Sequence, residues 1–502
     1  MQRKRQLFYN TISSLIFQLT TIICGFILPR LILTAFGSEV NGLVNSIIQF
    51  LGIISFLELG VGAVVQSTLY KPLAEKNYKD VSKIISSANR FFSRLGIILF
   101  IYVIFLIVIF PFFVEKKFDF WYTTTLIMAI SISSFAQYFF GIVNRLLLNA
   151  DQRGYVQYIA QTIAVIGNAV SCFILINLGA GIQVVKLTTS TIYLLQPMVV
   201  FFYVKKNYQI DKKVKYTEEP ITQKWNGVAQ HVAAIVLDGT DTIVLTLFAT
   251  LEDVSIYSVY YLVVNGVKQL FMSLTKGVES LMGELWAKQE LKELNKFFSW
   301  FEWIIHMGTI FIFGVTSVLV IPFIEIYTRG IHDANYIQCA FAFLLVMAHA
   351  GHCLRLPYST LIMAAGHYKQ TQNNFIIAAI LNVVISVLTV KRFGLIGVAI
   401  GTLVAMLYQT IWMAIYVSKN LINRPIGIFV KQILIDIITW GVGVLVTKMI
   451  VMRGESFIEW TILAVKDAVV WIVILIGINF IFYKTKMLEL IHKIIVRKNK
   501  KV

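Results

Sequence analysis

The sequence predicts an all-α integral membrane protein with about fourteen transmembrane helices. Of its 502 residues, 58% are hydrophobic and 14% are charged, whereas a soluble domain has about 45–50% apolar and about 25% charged residues. The mean hydropathy of +0.76 agrees with this composition. The apolar runs reach the roughly 20 residues of a spanning helix, and the alternating segments of a β-barrel are missing.

Composition also restricts the function. The formal net charge is +18, but excess Lys and Arg in a membrane protein belongs first to cytoplasmic loops, so we expect no nucleic-acid partner. The four cysteines are widely separated in apolar stretches and predict neither a disulfide framework nor a metal site. The sequence has no nucleophile motif and no phosphate-binding glycine loop, so we expect neither an enzyme nor a cofactor.

Fourteen apolar runs, separated by short polar connections, define the predicted spans. They lie near 9–35, 40–68, 91–114, 121–148, 154–177, 182–204, 223–249, 254–278, 297–323, 335–363, 369–390, 395–417, 429–450 and 458–483. With the N-terminus inside, the cytoplasmic segments carry 30 Lys and Arg residues and the outer segments carry 7. This bias predicts the cytoplasmic membrane with both termini in the cytoplasm. The outer connections are too short for an extracellular catalytic domain.

An internal repeat divides the chain. Residues 163–170 align with residues 377–384 at an offset of 214, with five of eight positions identical. Spans 1–6 and 7–12 then form two halves of the same orientation, with a site expected between them near the midplane. We predict an N-terminal six-helix bundle over 1–210, a C-terminal six-helix bundle over 211–424, and two additional helices with a basic tail over 425–502.

Charged side chains inside spans are the main functional signal, because each costs at least about 2.5–3.5 kcal/mol and should face a cavity or a partner. Lys268 lies too deep to reach the headgroups, and Arg355 lies two residues before Pro357, which should kink its helix. With Arg30 in span 1, they are the predicted contacts for an anionic substrate. Three further cations near helix ends are expected to reach the headgroups instead: Arg94, Arg145 and Lys186.

Acidic residues are fewer. Asp238 and Asp241, one turn apart in span 7, and Glu58 in span 2 are the candidates to bind a proton or a sodium ion during transport. A structural ion pair between Asp238 and Lys268 is the alternative for that carboxylate.

Amides form a stripe on span 2. Asn41, Asn45 and Gln49 recur every four residues and share one helix face. They either join helices by hydrogen bonds or hold sugar hydroxyls and water in a cavity. His349 and His352 lie three residues apart, but no carboxylate accompanies them, so we expect a buried polar contact or pathway lining rather than a metal site.

Several short motifs follow one another along nearly the whole chain. They are Phe36-Gly37 with Gly42, Glu58-Leu-Gly-Val-Gly62, Tyr70-Lys-Pro-Leu-Ala-Glu75, Thr240-Asp-Thr-Ile-Val244, Ile256-Tyr-Ser-Val-Tyr260, Ala364-Ala-Gly-His-Tyr368, Asn382 and Gly394-Leu-Ile-Gly-Val398. In these motifs the sequence resembles the polysaccharide flippases of O-antigen and capsule biosynthesis. Their superfamily also contains the multidrug-and-toxin-extrusion transporters and the peptidoglycan lipid flippase.

The resemblance implies alternating access and the translocation of undecaprenyl-diphosphate-linked oligosaccharide repeat units for surface polysaccharide assembly. It also implies coupling to a proton or sodium gradient, with Asp241 at a recurrent acidic position, and a basic lumen for the diphosphate. The implied partners are the lipid-linked oligosaccharide, membrane lipids, and the polysaccharide polymerase with other assembly proteins. A multidrug cation antiporter of the same superfamily is the alternative, followed by a membrane polymerase or acyltransferase.

Overall fold

The computed structural model describes residues 2–114, 117–211, 214, 228–450, 452 and 454–499. This part of the chain is almost entirely helical and contains no strand, which confirms the predicted fold class. Its α-helices are α1 (Gln2–Gly52), α2 (Ser55–Ala74), α3 (Tyr78–Val114), α4 (Phe120–Ala136), α5 (Ile142–Ala150), α6 (Tyr155–Asn177), α7 (Ile182–Asn207), α8 (Val228–Phe248), α9 (Leu251–Ala287), α10 (Leu291–Tyr327), α11 (Cys339–Ala364), α12 (Tyr368–Phe393), α13 (Leu395–Asn420), α14 (Gly427–Thr447), α15 (Phe457–Phe482) and α16 (Lys484–Asn499). A π-helical turn, Gln137–Gly141, joins α4 to α5.

Eleven helical segments in the described residues are long and apolar enough to cross a membrane. They correspond to predicted spans 1, 3–6 and 9–14, and the first of them also contains the start of span 2. The remaining predicted spans fall on α2, α8 and α9. In these helices no described stretch is both long and apolar enough, and α8 contributes only the shorter apolar stretch Gly239–Phe248. The count is therefore compatible with about fourteen spans.

Helix α15 shows how polarity is arranged in these spans. Its buried residues recur every fourth position and include polar ones: Leu463, Asp467, Trp471, Leu475 and Asn479. Its exposed residues are apolar, including Ile458, Val465, Val469, Val473 and Ile481. An apolar outer surface over a partly polar interior is the arrangement that lipid favours, because lipid offers no hydrogen bonds. The chain is a multi-pass membrane protein.

The first two predicted spans are separated by a break at Gly37 inside α1. Gly37 has φ 82° and ψ 176°, so the helix is interrupted there. The helix restarts at Ser38, whose backbone N–H and hydroxyl each donate to the Asp333 carboxylate at 2.6 Å. A Cβ atom at position 37 would lie 2.8 Å from Asp333 Oδ2, so both the backbone angle and the close approach require glycine.

Two irregularities differ from the predicted continuous spans. Span 2 is interrupted at residues 53–54, where the Phe50 carbonyl accepts from the Tyr102 hydroxyl at 2.9 Å and from Ile53 N at 3.2 Å. These two donors replace the bond that a continuous α-helix would make from residue 54. Span 4 contains the π-helical turn, a feature with no distinctive residue pattern in an apolar sequence.

The chain divides into two compact units. The first unit comprises residues 1–258 with 331–334, and its buried core includes Leu43, Val65, Phe92 and Leu126. The second unit comprises residues 259–330 with 335–502. The predicted bundle boundaries after residues 210 and 424 rest on the sequence repeat and remain predictions.

Inside the second unit, α14 and α15 pack on α10. Trp471 of α15 is fully buried and packs with Ile310 and Leu475. A Cβ atom added at Gly314 of α10 or at Gly443 of α14 would lie 2.4 Å or 2.3 Å from the nearest Trp471 ring atoms. The two glycines therefore form the space that the indole occupies.

Candidate anion-binding site

Two buried cations lie in the second unit. Lys268 lies 17 residues into α9, about 26 Å along the helix axis at 1.5 Å per residue, and it is 2% exposed. Arg355 lies on α11 two residues before Pro357 and is 7% exposed. Both side chains are therefore buried within the protein, and their contact with an anionic substrate stays a prediction.

The two cations share their neighbours. Both act electrostatically on His352 and on Cys353 of α11, so they lie in one region of the unit. The Lys268 Nζ lies 5.9 Å from the ring centroid of Tyr261, and Arg355 Cζ lies 5.9 Å from the ring centroid of Phe375. The region therefore combines two positive charges with aromatic faces and imidazole rings.

The hydrogen bonds fix which nitrogen of each imidazole carries the proton. Arg355 Nη2 lies 3.1 Å from His352 Nδ1, and because a guanidinium only donates, that nitrogen accepts. The neutral His352 ring then carries its proton on Nε2, which is buried and has no hydrogen-bond partner in the described part of the chain. His349 is the opposite tautomer, since its Nδ1 faces the Leu345 carbonyl at 2.9 Å. His352 thus offers a buried N–H donor beside two cations.

The arrangement suits a multiply charged anion. Two cations and an imidazole donor can bind phosphate oxygens through charge-assisted hydrogen bonds. The described residues contain no group of three His, Cys, Asp or Glu side chains that would hold a metal ion.

The predicted amide stripe lies in the first unit and has partners in the protein. Asn41 Nδ2 donates to the Ser255 hydroxyl at 2.8 Å, and Asn45 Nδ2 donates to the Asn41 carbonyl at 2.8 Å. Gln49 packs against Gly239, where a Cβ atom would lie 2.2 Å from its Nε2. These contacts correspond to the helix-joining alternative, while contact with a substrate remains a prediction for all three amides.

The predicted acidic positions are only partly described. Asp241 is buried and accepts a hydrogen bond from the Tyr257 hydroxyl at 3.0 Å. The side chains of Asp238 and Glu58 lie outside the described residues, as does the alternative ion pair of Asp238. Arg30 is partly buried on α1, seven residues before the break at Gly37.

Several buried ionic side chains were not singled out from the sequence. Glu302 of α10 forms a two-bond ion pair with Arg424, one bond being 2.7 Å, and accepts from the Tyr358 hydroxyl at 2.5 Å. His306 Nδ1 and Asp436 Oδ2 are 2.5 Å apart. The sequence signal that could have identified them is the position of Glu302 and Asp436, two acidic residues, inside predicted spans. Their pairing joins α10 to α14 and its preceding loop.

No protein family model matches the chain, and no curated protein sequence matches it. Several solved structures are similar to this chain. The lipid II flippase MurJ, in an inward closed conformation, aligns with a TM-score of 0.69 and 15% identity over 95% of this chain and 99% of that one. An inward-facing multidrug resistance MATE family transporter of the MOP superfamily aligns with a TM-score of 0.64 and 14% identity over 80% and 95%. A Vibrio cholerae MATE transporter aligns with a TM-score of 0.57 and 13% identity over 84% of this chain and 98% of that one.

At 13–15% identity these similarities establish the fold. The chain has the fold that MurJ shares with the MATE transporters. The predicted resemblance to this superfamily of exporters and flippases is confirmed at the level of the fold.

Proposed function

We propose that the protein is a flippase that moves undecaprenyl-diphosphate-linked oligosaccharide repeat units across the cytoplasmic membrane. The product would serve the assembly of O-antigen, capsule or exopolysaccharide, with the polymerase and other assembly proteins as partners. The observation that carries the proposal is the pair of buried cations, Lys268 and Arg355, around the His352 donor.

The physical argument concerns the head of the lipid. A diphosphate and several sugars cannot cross hydrocarbon unaided, because each polar group without a hydrogen bond costs several kcal/mol. Lys268 and Arg355 supply opposite charge at membrane depth, and His352 supplies a further donor. The prenyl tail stays in lipid while the head is transferred. Alternating access requires two conformations whose free energies differ by only a few kcal/mol.

Release of the head requires that this attraction be weakened. Asp241 is the first candidate for ion coupling, because its carboxylate is buried in α8 and has the Tyr257 hydroxyl as a donor. Binding of a proton or a sodium ion would cancel its charge and favour one conformation over the other. Asp238 and Glu58 remain candidates for the same role.

A multidrug cation antiporter is the second candidate, because MATE transporters share the fold. An organic cation requires a carboxylate or an aromatic cage as its partner. The cluster in the second unit has aromatic rings, but its two cations repel such a substrate. The lipid-linked oligosaccharide is therefore the better match.

Complementation of a knockout tests the proposal. Without the protein, lipid-linked repeat units should accumulate on the cytoplasmic side, and the wild-type gene should restore surface polysaccharide. Lys268→Ala and Arg355→Ala should each fail to restore it at equal protein level in the membrane. Lys288→Ala is the matched control, because that lysine is exposed and forms an ion pair with Glu284 one turn away. Full complementation by both cluster variants would refute the site, and normal export without the protein would refute the function.

A further inference from the structure

A cavity of about 380 Å³, lined by apolar and polar side chains, lies within the first unit and shares no residue with the cationic cluster of the second unit. Its volume is in the range of about 300–1,000 Å³ that small-molecule sites occupy. It lies where α1 breaks off before α2, and α4, the π-helical turn and α7 form its other walls. Its lining residues are Ile48, Leu51, Gly52, Ile54, Ile130, Ser133, Ser134, Gln137, Tyr138, Lys186, Thr189, Ser190 and Tyr193.

Lys186 is the cation of this cavity. Within the described residues its ammonium group makes no hydrogen bond and no ion pair, and the lining contains no carboxylate. Lys186 lines the cavity four residues, about 6 Å, from the start of α7, and Tyr193 lines it seven residues further along the same helix. Whether the Lys186 ammonium reaches the headgroups stays a prediction. A cation that lines a cavity between spanning helices needs water or an anion as its partner.

Gln137 supplies an acceptor on another wall. It begins the π-helical turn, and its Nε2 donates to Gln196 Oε1 at 3.1 Å. Its Oε1 is buried and has no hydrogen-bond partner in the described part of the chain. Gly141 permits this position, since a Cβ atom there would lie 2.5 Å from that oxygen. π-helical turns are rare and frequently occur at functional sites.

The cavity therefore offers one cation, one amide oxygen, four serine and threonine hydroxyl groups and two tyrosines. Hydroxyl and amide groups can form hydrogen bonds with the hydroxyls of a sugar. An ammonium group that has no carboxylate partner in the lining can form an ion pair with an acidic group of the ligand. We propose that this cavity binds an acidic sugar, such as a hexuronic acid, whose carboxylate pairs with Lys186 and whose hydroxyl donates to Gln137 Oε1. The proposal rests on the proposed function, which supplies an oligosaccharide, and it specifies that this oligosaccharide contains a uronic acid.

Binding to the full-length protein in lipid nanodiscs tests the cavity directly. The probes are glucuronate, glucose and inorganic diphosphate, and the readout is the unfolding temperature as a function of ligand concentration. We expect glucuronate to stabilise the wild type and glucose at the same concentration to have little effect. Lys186→Met should raise the glucuronate dissociation constant about tenfold or more, because it removes a charge-assisted bond. Lys288→Met should leave it unchanged.

Gln137→Leu is the second variant, and it should also weaken glucuronate binding. It keeps the proposal testable if Lys186→Met does not fold. Absence of stabilisation by glucuronate, or equal stabilisation of the wild type and both cavity variants, overturns the proposal. Diphosphate binding that exceeds glucuronate binding and is lost in Lys186→Met also overturns it, because the cavity would then be a headgroup site.

The two proposals fail separately. Lys268→Ala should bind glucuronate normally while it fails to restore surface polysaccharide. Normal glucuronate binding with full complementation by Lys268→Ala and Arg355→Ala would refute the cationic cluster and leave the sugar cavity intact.

Discussion

A buried imidazole beside a guanidinium has only one possible neutral arrangement, and this makes His352 a donor rather than a metal ligand. Arg355 occupies Nδ1, so the remaining ring proton sits on Nε2. A positive charge on the ring would be repelled by both Lys268 and Arg355. We therefore expect His352 to act as a neutral donor toward an anionic substrate.

Substitution of His352 tests this role. His352→Gln places an amide N–H close to the position of Nε2, whereas His352→Leu keeps only the bulk. We expect His352→Gln to retain most of the transport rate and His352→Leu to lose about tenfold or more, the value of one hydrogen bond to a charged group. The measurement is the initial rate of lipid-linked oligosaccharide transfer in reconstituted vesicles. His367→Leu, whose ring bonds to the Tyr416 hydroxyl instead, is the control. Equal rates for both His352 variants would contradict the donor role.

Asp467 is a second buried polar side chain whose partner is missing from the described part of the chain, and here the group is a carboxyl group. It is fully buried on α15, and neither of its oxygens has a hydrogen-bond partner in the described residues. An unsatisfied buried polar group costs about 1–3 kcal/mol, so we expect Asp467→Leu to raise the unfolding temperature in nanodiscs. Asp436→Leu should lower it, because that carboxylate bonds to His306 and Gln432. A lower unfolding temperature for Asp467→Leu would show that the group has a partner in the membrane.

At the scale of elements, the sequence predicts which segments are helices better than it predicts where they break. Apolar length determines the spans, and the residues around Gly37 mark the end of the first one. The break at 53–54 depends on the hydroxyl of Tyr102, which lies 52 residues beyond Phe50 along the chain. The π-helical turn depends on how Gln137 packs at Gly141 and Gln196. Long-range contacts of this kind leave no local pattern.

The same limit applies to the candidate site. A charged residue within an apolar run can be recognised from the local sequence alone. Because charge is costly in lipid, the burial of Lys268 and Arg355 could be predicted. The partners of an amide depend on which helices meet. The sequence alone therefore left both roles of Asn41 open, and its bond to Ser255 appears only in the structure.

The packing of α14 on α15 provides a matched pair of substitutions on one helix. Gly443→Ala puts a Cβ atom against the fully buried Trp471, whereas Gly441→Ala meets nothing within 4 Å. Overpacking costs about 1–3 kcal/mol, and replacing glycine in a helix recovers about 0.5–1 kcal/mol. We expect Gly443→Ala to lower the unfolding temperature and Gly441→Ala to keep or raise it. Equal effects of the two variants would show that the indole is not held between the glycines.

At the scale of the whole molecule, the distribution of charge predicts the orientation in the membrane. The 30-to-7 distribution of Lys and Arg counts residues in connections and tails, where basic residues resist translocation. The even number of spans that the sequence predicts would place both termini on one side. Orientation matters for the proposed function, because the lipid-linked substrate is made in the cytoplasm and must enter from that side.

Cysteine labelling tests this orientation. Cys339 is exposed, whereas Cys24, Cys172 and Cys353 are buried, so Cys339→Ala gives a background of low reactivity. Glu455 is 77% exposed in a predicted outer connection, and Glu290 is exposed in a predicted cytoplasmic one. In intact cells a membrane-impermeant maleimide should label Glu455→Cys, and it should label Glu290→Cys only after permeabilisation. Labelling of Glu290→Cys alone in intact cells would place the 30 basic residues outside. The cationic cluster would then have to receive its substrate from the outer leaflet, which the proposed direction of transport excludes.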